Sequence, residues 1–499
     1  MSQTIVLDGS SLTLDAVVAV ARGRAAVAIS PEAEQRATRS RRTVEATLAS
    51  GAAVYGVNTG FGKLAHVRIA PDKLKELQRN LILSHAAGVG APLPTDAVRA
   101  AMLLRANVLL RETSGVRPLV AERLVELLNH GIHPIVPEQG SVGASGDLAP
   151  LAHVALTLIG EGEVEVTGRR LSAGQALGDA GLVPLELEAK EGLSFVNGTQ
   201  AQTAVLALLV HDARCLWRTA HGAAAMSLEA LRGTPDPFDE RIHLARPHRG
   251  QIASATLLRE LLAESEIRES HRTNDPRVQD AYSLRCIPQV LGPVLDAIEF
   301  AATTVEVELN ASTDNPLVLG DDVVSGGNFH GQGVAQALDV LAIALTTLAG
   351  ISERRVERLV NPDLSSGLPA FLTRDPGLQS GFMMVQVTAA ALVAEARTLC
   401  TPASVQSIPT DANQEDFVPM GMTAAFKARR VLADAQRVVA AELLCAAQGL
   451  DLLLPLEAGR GVRAVHERVR AIVAPLAEDR PPHPDLEALA ELVRRGALA

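Results

Sequence analysis

Positions 140 to 156 read GSVGASGDLAPLAHVAL, three glycines and two serines set directly before an alanine- and leucine-rich stretch. A tight turn needs fewer small residues than this. One chemistry does need them in this order. If the turn is compressed, the amide nitrogen of Gly146 can attack the carbonyl carbon of Ala144 and close a five-membered ring, the carbonyl oxygen leaving as one water. Glycine is required at 146 because a side chain would obstruct the approach. Ser145 carries a β-hydroxyl that can leave as a second water, and Ala144 stays out of the way. The product, 4-methylidene-imidazol-5-one, is a strong electrophile built from Ala144, Ser145 and Gly146 with no external cofactor.

More familiar motifs fail here. A serine nucleophile elbow needs glycine where Asp147 stands. In GVNTGFGKL, Gly56 is one residue too far from Gly62-Lys63 for a phosphate loop, and Leu64 replaces the magnesium-binding hydroxyl. A dinucleotide fingerprint at Gly60–Ala65 lacks the alternating strands and helices that should follow. None of the 13 histidines forms an HExxH pair or meets a cysteine at zinc spacing, so no metal is expected. The chain has two tyrosines, and both lie in polar segments, VYGVNTGFGKL at Tyr55 and VQDAYSLRCIPQ at Tyr282, away from any packing stripe.

The elements that must position these residues read as helices. DKLKELQRNLILSHAAG, TDAVRAAMLLRANVLLRET, TQAQTAVLALLVHDARCLWRTAHGAAAM, VAQALDVLAIALTTLAGISERRVERLV and TAAFKARRVLADAQRVVAAELLCAAQGLDLLL repeat apolar residues at three and four. Several are apolar most of the way round, which places them inside a bundle or against other subunits. TIVLDG predicts a short strand, and TLDAVVAVARG a helix that Gly23 ends. The expected fold is mainly α: a large bundle of long central helices with a small mixed N-terminal part. There is no internal repeat and no long linker, so residues 1–499 read as one unit. About 1–200 form the N-terminal part with the glycine-rich loop, and about 201–499 the bundle and C-terminal helices.

Composition narrows the partners. The 499 residues carry a net charge of −11, which argues against nucleic acid or an anionic membrane. The apolar run from Val340 reads as too short and too interrupted to cross a bilayer. Four scattered cysteines without a CxxC pair, and no basic residue before the first apolar stretch, suggest a reduced, cytoplasmic protein.

GSVGASGDLAPLAHVAL also resembles the prosthetic-group segment of the aromatic amino-acid ammonia-lyases. The similarity continues through YGVNTGFG, NLILSHAAGVG, EGLSFVNGTQ, VQDAYSLRCIPQVLG, STDNPLV, SGGNFHG and SIPTDANQEDFVPMG, nearly the whole chain in order. It is strongest to the family's histidine ammonia-lyase branch. The resemblance implies an amino-acid substrate, L-histidine losing ammonia to give trans-urocanate, and a homotetramer whose active sites combine residues of several subunits. It implies an ammonia-lyase architecture like that of the fumarases and aspartases.

By the same resemblance, Tyr55 is the base that takes the β-proton, and Tyr282 shapes the reacting centre. A phenol titrates near 10, so a base working near neutral pH calls for positive charge or donors around Tyr55. Arg285 and Asn315 match the residues that bind the substrate carboxylate, and Asn197 the one touching the prosthetic group and the amine. Gln279 and Phe329 match residues lining the site. His85 and Glu415 stand where the histidine branch has groups for an imidazole ring. Phe417 replaces the histidine expected two places after Glu415. Other departures cluster at the same end of the pocket. Three rival readings remain: a phenylalanine or tyrosine ammonia-lyase, a 2,3-aminomutase on the same electrophile, or a non-catalytic helical scaffold.

Overall fold

A computed structural model describes residues 4–273 and 275–498. The protein is mainly α, with short strand pairs between the helices. Contacts group the chain into two units. The first comprises residues 1–208, 301–339 and 402–426, and the second 209–300, 340–401 and 427–499. Two segments from far beyond residue 200 therefore join the N-terminal part.

In the first unit, the strand Ile5–Leu7 pairs in parallel with Val27–Ile29. The helix Leu14–Ala21 follows, its free amides capped by Thr13, whose hydroxyl accepts from the Ala16 N–H at 3.2 Å. The helix Thr95–Leu109 is the core of this unit and is buried from Ala97 to Leu109. Two arginines lie inside that stretch, and each donates to backbone carbonyls. Arg99 donates to the Val20 and Leu128 carbonyls, and Arg105 to those of Asn197 and Ser194. Such arginines tie loops to the core helix, because a buried guanidinium without acceptors would be strongly destabilising.

In the second unit, most residues of the long helices Gln200–Ala230, Ile287–Glu308, Gln332–Val360 and Gly421–Asp451 pack together. A buried pair fixes the register of three of them. Arg355 Nε and Nη2 donate to Glu442 Oε1 and Oε2 at 2.5 and 2.7 Å. The Ser227 and Ser352 hydroxyls donate to the same carboxylate. A buried ion pair is tolerable when every lone pair is used in this way.

The apolar run from Val340 belongs to the 29-residue helix Gln332–Val360. Its best window has a mean hydropathy of 1.8, so this helix is long and apolar enough to span a bilayer, contrary to the reading of the shorter run. Of that window, 61% is buried inside the protein, which marks it as a core helix. The run from Val340 is only the middle of this helix, which extends over uncharged Gln332–Leu338 on one side and the charged Ser352–Val360 on the other.

Candidate active site

The loop before the helix Leu148–Leu158 explains its glycines. Gly143 and Gly146 have φ of +76° and +78°, a region open to glycine and strained for other residues. Gly146 forms a parallel bridge with Gly198, and a Cβ on it would lie 2.3 Å from Gly198 backbone atoms. Gly198 in turn has no room for a side chain, since its Cβ would sit 2.4 Å from Arg105 Nη1. Two glycines are thus stacked over a buried guanidinium. The Asp147 N–H donates to the Gly198 carbonyl at 2.7 Å and closes the turn.

Asp147 anchors the exit of this loop. Its fully buried carboxylate accepts from the Gln202 backbone N–H (2.8 Å), Gln202 Nε2 (3.1 Å) and Ser141 Oγ (3.1 Å). Burial pushes its pKa up to about 6 against the pull of those donors. The residue that rules out a nucleophile elbow is therefore the one that pins the loop to the start of the helix Gln200–Ala230.

Ser145 faces a cavity of about 550 Å³ in the first unit, lined also by Tyr55, His85, Asn197, Asp411 and Glu415. Its hydroxyl donates to Glu415 Oε1 at 2.5 Å, while Thr410 Oγ1 donates to Oε2 at 2.5 Å. Asn197 Nδ2 donates to the Ser145 carbonyl at 2.7 Å, and Asn197 Oδ1 is buried without a partner. Apolar walls come from Phe61, Leu64, Leu81, Leu148 and Leu193. A groove of similar size in the second unit, about 580 Å³, is lined by mutually paired charges such as Glu269 and Arg272 and has no such constellation.

The electrostatics differ from the expectation for Tyr55. Its hydroxyl accepts one N–H, from Gly62 at 3.3 Å, and no lysine or arginine lines the cavity. Burial raises the phenol above its ordinary range, and the Asp411 and Glu415 carboxylates add to the rise, with the Gly62 N–H opposing. Of the expected positive charge or donors, a donor is present, the Gly62 N–H, and the charges acting on the phenol are the two carboxylates. His85, at the end of the helix Leu74–His85, is shifted below the usual imidazole range, mainly by burial. Its ring is therefore neutral at neutral pH. His85 Nδ1 lies 3.0 Å from Ser84 Oγ.

Of the residues singled out from sequence, Tyr55, His85, Ser145, Asn197 and Glu415 line this one cavity. Ala144 and Gly146 form the buried backbone beside it. Asn315 and Phe329 belong to the first unit but are not among its lining residues. Asn315 Oδ1 accepts the Gly326 N–H at 2.7 Å, and Phe329 is half-buried. Gln279, Tyr282 and Arg285 belong to the second unit and do not line the cavity. There the Arg285 guanidinium lies over the Tyr282 ring, 4.6 Å from its centroid, on the short helix Tyr282–Arg285. Tyr282 is 70% exposed.

Sequence reasoning missed three charged residues around the site. Arg105 carried a signal, a charge inside an apolar stripe. Lys190 carried none, yet it is fully buried and bonded to Ser114, Ser194 and Asp314, the residue before Asn315. Asp411 stands four residues before Glu415, in the same segment.

A mainly helical chain with a crowded Ala-Ser-Gly turn, a tyrosine and a carboxylate in one cavity defines a class of enzyme. Residues 12–471 match the aromatic amino acid lyase family, and the chain belongs to that family. It is a carbon–nitrogen lyase. The histidine ammonia-lyase of Anaeromyxobacter sp. (strain K) is 55% identical over 99% of both chains. Among solved structures, histidine ammonia-lyase from Trypanosoma cruzi is 44% identical with a TM-score of 0.92, covering 99% of this chain and 94% of that one. A tyrosine aminomutase from Streptomyces globisporus is 41% identical with a TM-score of 0.95, covering 99% and 98%. Fold alone therefore does not separate lyase from mutase, and the side chains of the cavity must.

Proposed function

We propose that this enzyme eliminates ammonia from L-histidine to give trans-urocanate, using an electrophile that forms from Ala144, Ser145 and Gly146. The observation that carries the reading is the juxtaposition of that cramped turn with Tyr55, His85 and Glu415 in one cavity. The tripeptide suits the ring. Its glycine has no space for a Cβ, its serine hydroxyl already meets a carboxylate, and Asn197 grips the serine carbonyl. A methylidene-imidazolone at this place supplies an electron-poor alkene that makes the amine a better leaving group. The remaining work falls to side chains. Tyr55 takes the β-proton as its phenolate. The unpartnered Oδ1 of Asn197 can accept from the substrate ammonium, which removes the penalty of a buried acceptor without a donor.

His85 and Glu415 favour an imidazole over a phenyl ring. A neutral histidine and a carboxylate can together address both ring nitrogens. In the uncyclised chain Glu415 is engaged by the Ser145 hydroxyl, and loss of that hydroxyl as water releases Oε1 for a ligand. Glu415→Gln is expected to lower kcat/KM on L-histidine by about 10- to 100-fold, the worth of one hydrogen bond to a charged group. Steady-state assay checks this, while the mass still shows two waters lost.

The substrate carboxylate needs a cation, and among the described residues of this chain no lysine or arginine lines the cavity. A homotetramer that brings Tyr282, Arg285 and Gln279 from neighbouring subunits answers that need. Exposed apolar side chains on the long helices, among them Ile343, Met384 and Val307, support assembly. Four free cysteines fit a cytoplasmic setting. The deciding experiment incubates the protein with L-histidine, L-phenylalanine and L-tyrosine, watching for conjugated acrylate absorbance or a β-amino acid. Acrylate from L-histidine alone is expected. A β-amino acid from L-tyrosine would establish the aminomutase instead.

A further inference from the structure

The residues 410–415 form a tight loop closed on itself. The Thr410 N–H donates to the Glu415 carbonyl at 2.9 Å, and the Glu415 N–H to the Thr410 carbonyl at 3.3 Å. Between them Asp411, Ala412 and Asn413 all have left-handed backbone, with φ of +46°, +51° and +63°. Three consecutive residues of this kind, none of them glycine, persist only where surrounding contacts hold them. One end of the loop delivers Glu415 to Ser145. The other delivers Asp411 to the segment carrying Tyr55: its Oδ2 accepts the Lys63 N–H at 3.0 Å. Gly62, with φ of +51°, is so close to that carboxylate that a Cβ would lie 2.0 Å from Oδ2. The Gly62 N–H, on the other side, is the donor to the Tyr55 hydroxyl.

We propose that Asp411 is a positioning residue for Tyr55: its carboxylate latches the Gly62–Lys63 turn, and that turn holds the phenol in the cavity beside Ser145. The proposal rests on the reading of Tyr55 as the base. Asp411 acts through the backbone of 62–63 in geometry and through its charge in electrostatics. The titratable groups that share the cavity with Tyr55 are Asp411, Glu415 and His85. Of these, Asp411 and Glu415 hold the phenol in its protonated form. Asp411 thus trades basicity at neutral pH for a fixed position.

Asp411→Ala removes the acceptor and the charge, whereas Asp411→Asn keeps an oxygen acceptor and removes the charge alone. Both are compared with the parent as full-length protein, by intact mass, amide hydrogen exchange and steady-state kinetics on L-histidine. In Asp411→Ala, exchange at Gly62 and Lys63 is expected to rise at least about 10-fold, because the holding bond is gone. Its kcat should fall about 10- to 100-fold with KM within about 3-fold, the signature of a misplaced reacting group. Asp411→Asn should restore slow exchange and most of kcat. The rising limb of its kcat with pH should move to lower pH, since the neutral side chain no longer disfavours the phenolate. Unchanged exchange at Lys63 in Asp411→Ala would overturn the latch. So would an Asp411→Asn protein as impaired as Asp411→Ala. An active Tyr55→Phe protein would instead remove the base assignment, and the exchange data would still judge the latch.

Discussion

Ser145→Ala is expected to yield a folded protein that does not show the full two-water loss in mass and has lost at least about 10³-fold in kcat. The chemistry is local. Without the β-hydroxyl there is no second water to lose and no exocyclic alkene, however well the turn is compressed. The structural effect is small. Relative to the uncyclised chain, the substitution removes one hydrogen bond, from Ser145 Oγ to Glu415 Oε1, while Thr410 still donates to Oε2. Losing one such bond to a charged acceptor destabilises by about 1–3 kcal/mol. The helices of the second unit make none of these contacts, so helicity by circular dichroism should match the parent. Intact mass is the sharper check, because the parent should be two waters lighter than its sequence and the variant should not. A variant that keeps parental activity would remove the electrophile from the mechanism.

The second large effect is expected at Tyr55→Phe, a loss of about 10²- to 10⁴-fold in kcat, the usual contribution of a general base. Only an oxygen is removed from a half-buried ring, and among the described residues its donor is the Gly62 N–H. The pH dependence follows from the surroundings. Burial, Asp411 and Glu415 all favour the neutral phenol. The phenolate fraction, and with it kcat, should therefore still be rising on the alkaline side of neutrality. In Tyr55→Phe that rising limb should vanish and leave a flat residual rate. Persistence of the limb in the variant would assign it to another group. A substrate ammonium would lower the phenol's pKa, so the limb should lie lower in the saturated enzyme than in the free one.

What was legible in the sequence was whatever is local along the chain. Ala144, Ser145 and Gly146 are adjacent, so the proposed cyclisation can be argued from residue type and order. The long helices announce themselves by spacing, because burial on one face imposes a period of 3.6 whatever the partner. The capping of Leu14–Ala21 by Thr13 is local in the same sense. The family resemblance pointed to Tyr55, His85, Asn197 and Glu415, and folding brings them to Ser145.

Tertiary structure alone decided the sign of the electrostatics. Asp411 reaches Lys63 across 348 positions and Glu415 reaches Ser145 across 270, and no periodicity encodes such pairings. A pKa follows the summed field of every nearby charge and the loss of water around the group, both functions of distance in space. The family resemblance pointed to Tyr55 as the proposed base, and only the folded chain showed that two carboxylates, Asp411 and Glu415, share its cavity. Lys190 illustrates the same limit: a solvent-seeking residue by composition, it is fully buried because Asp314 and two serines meet it there.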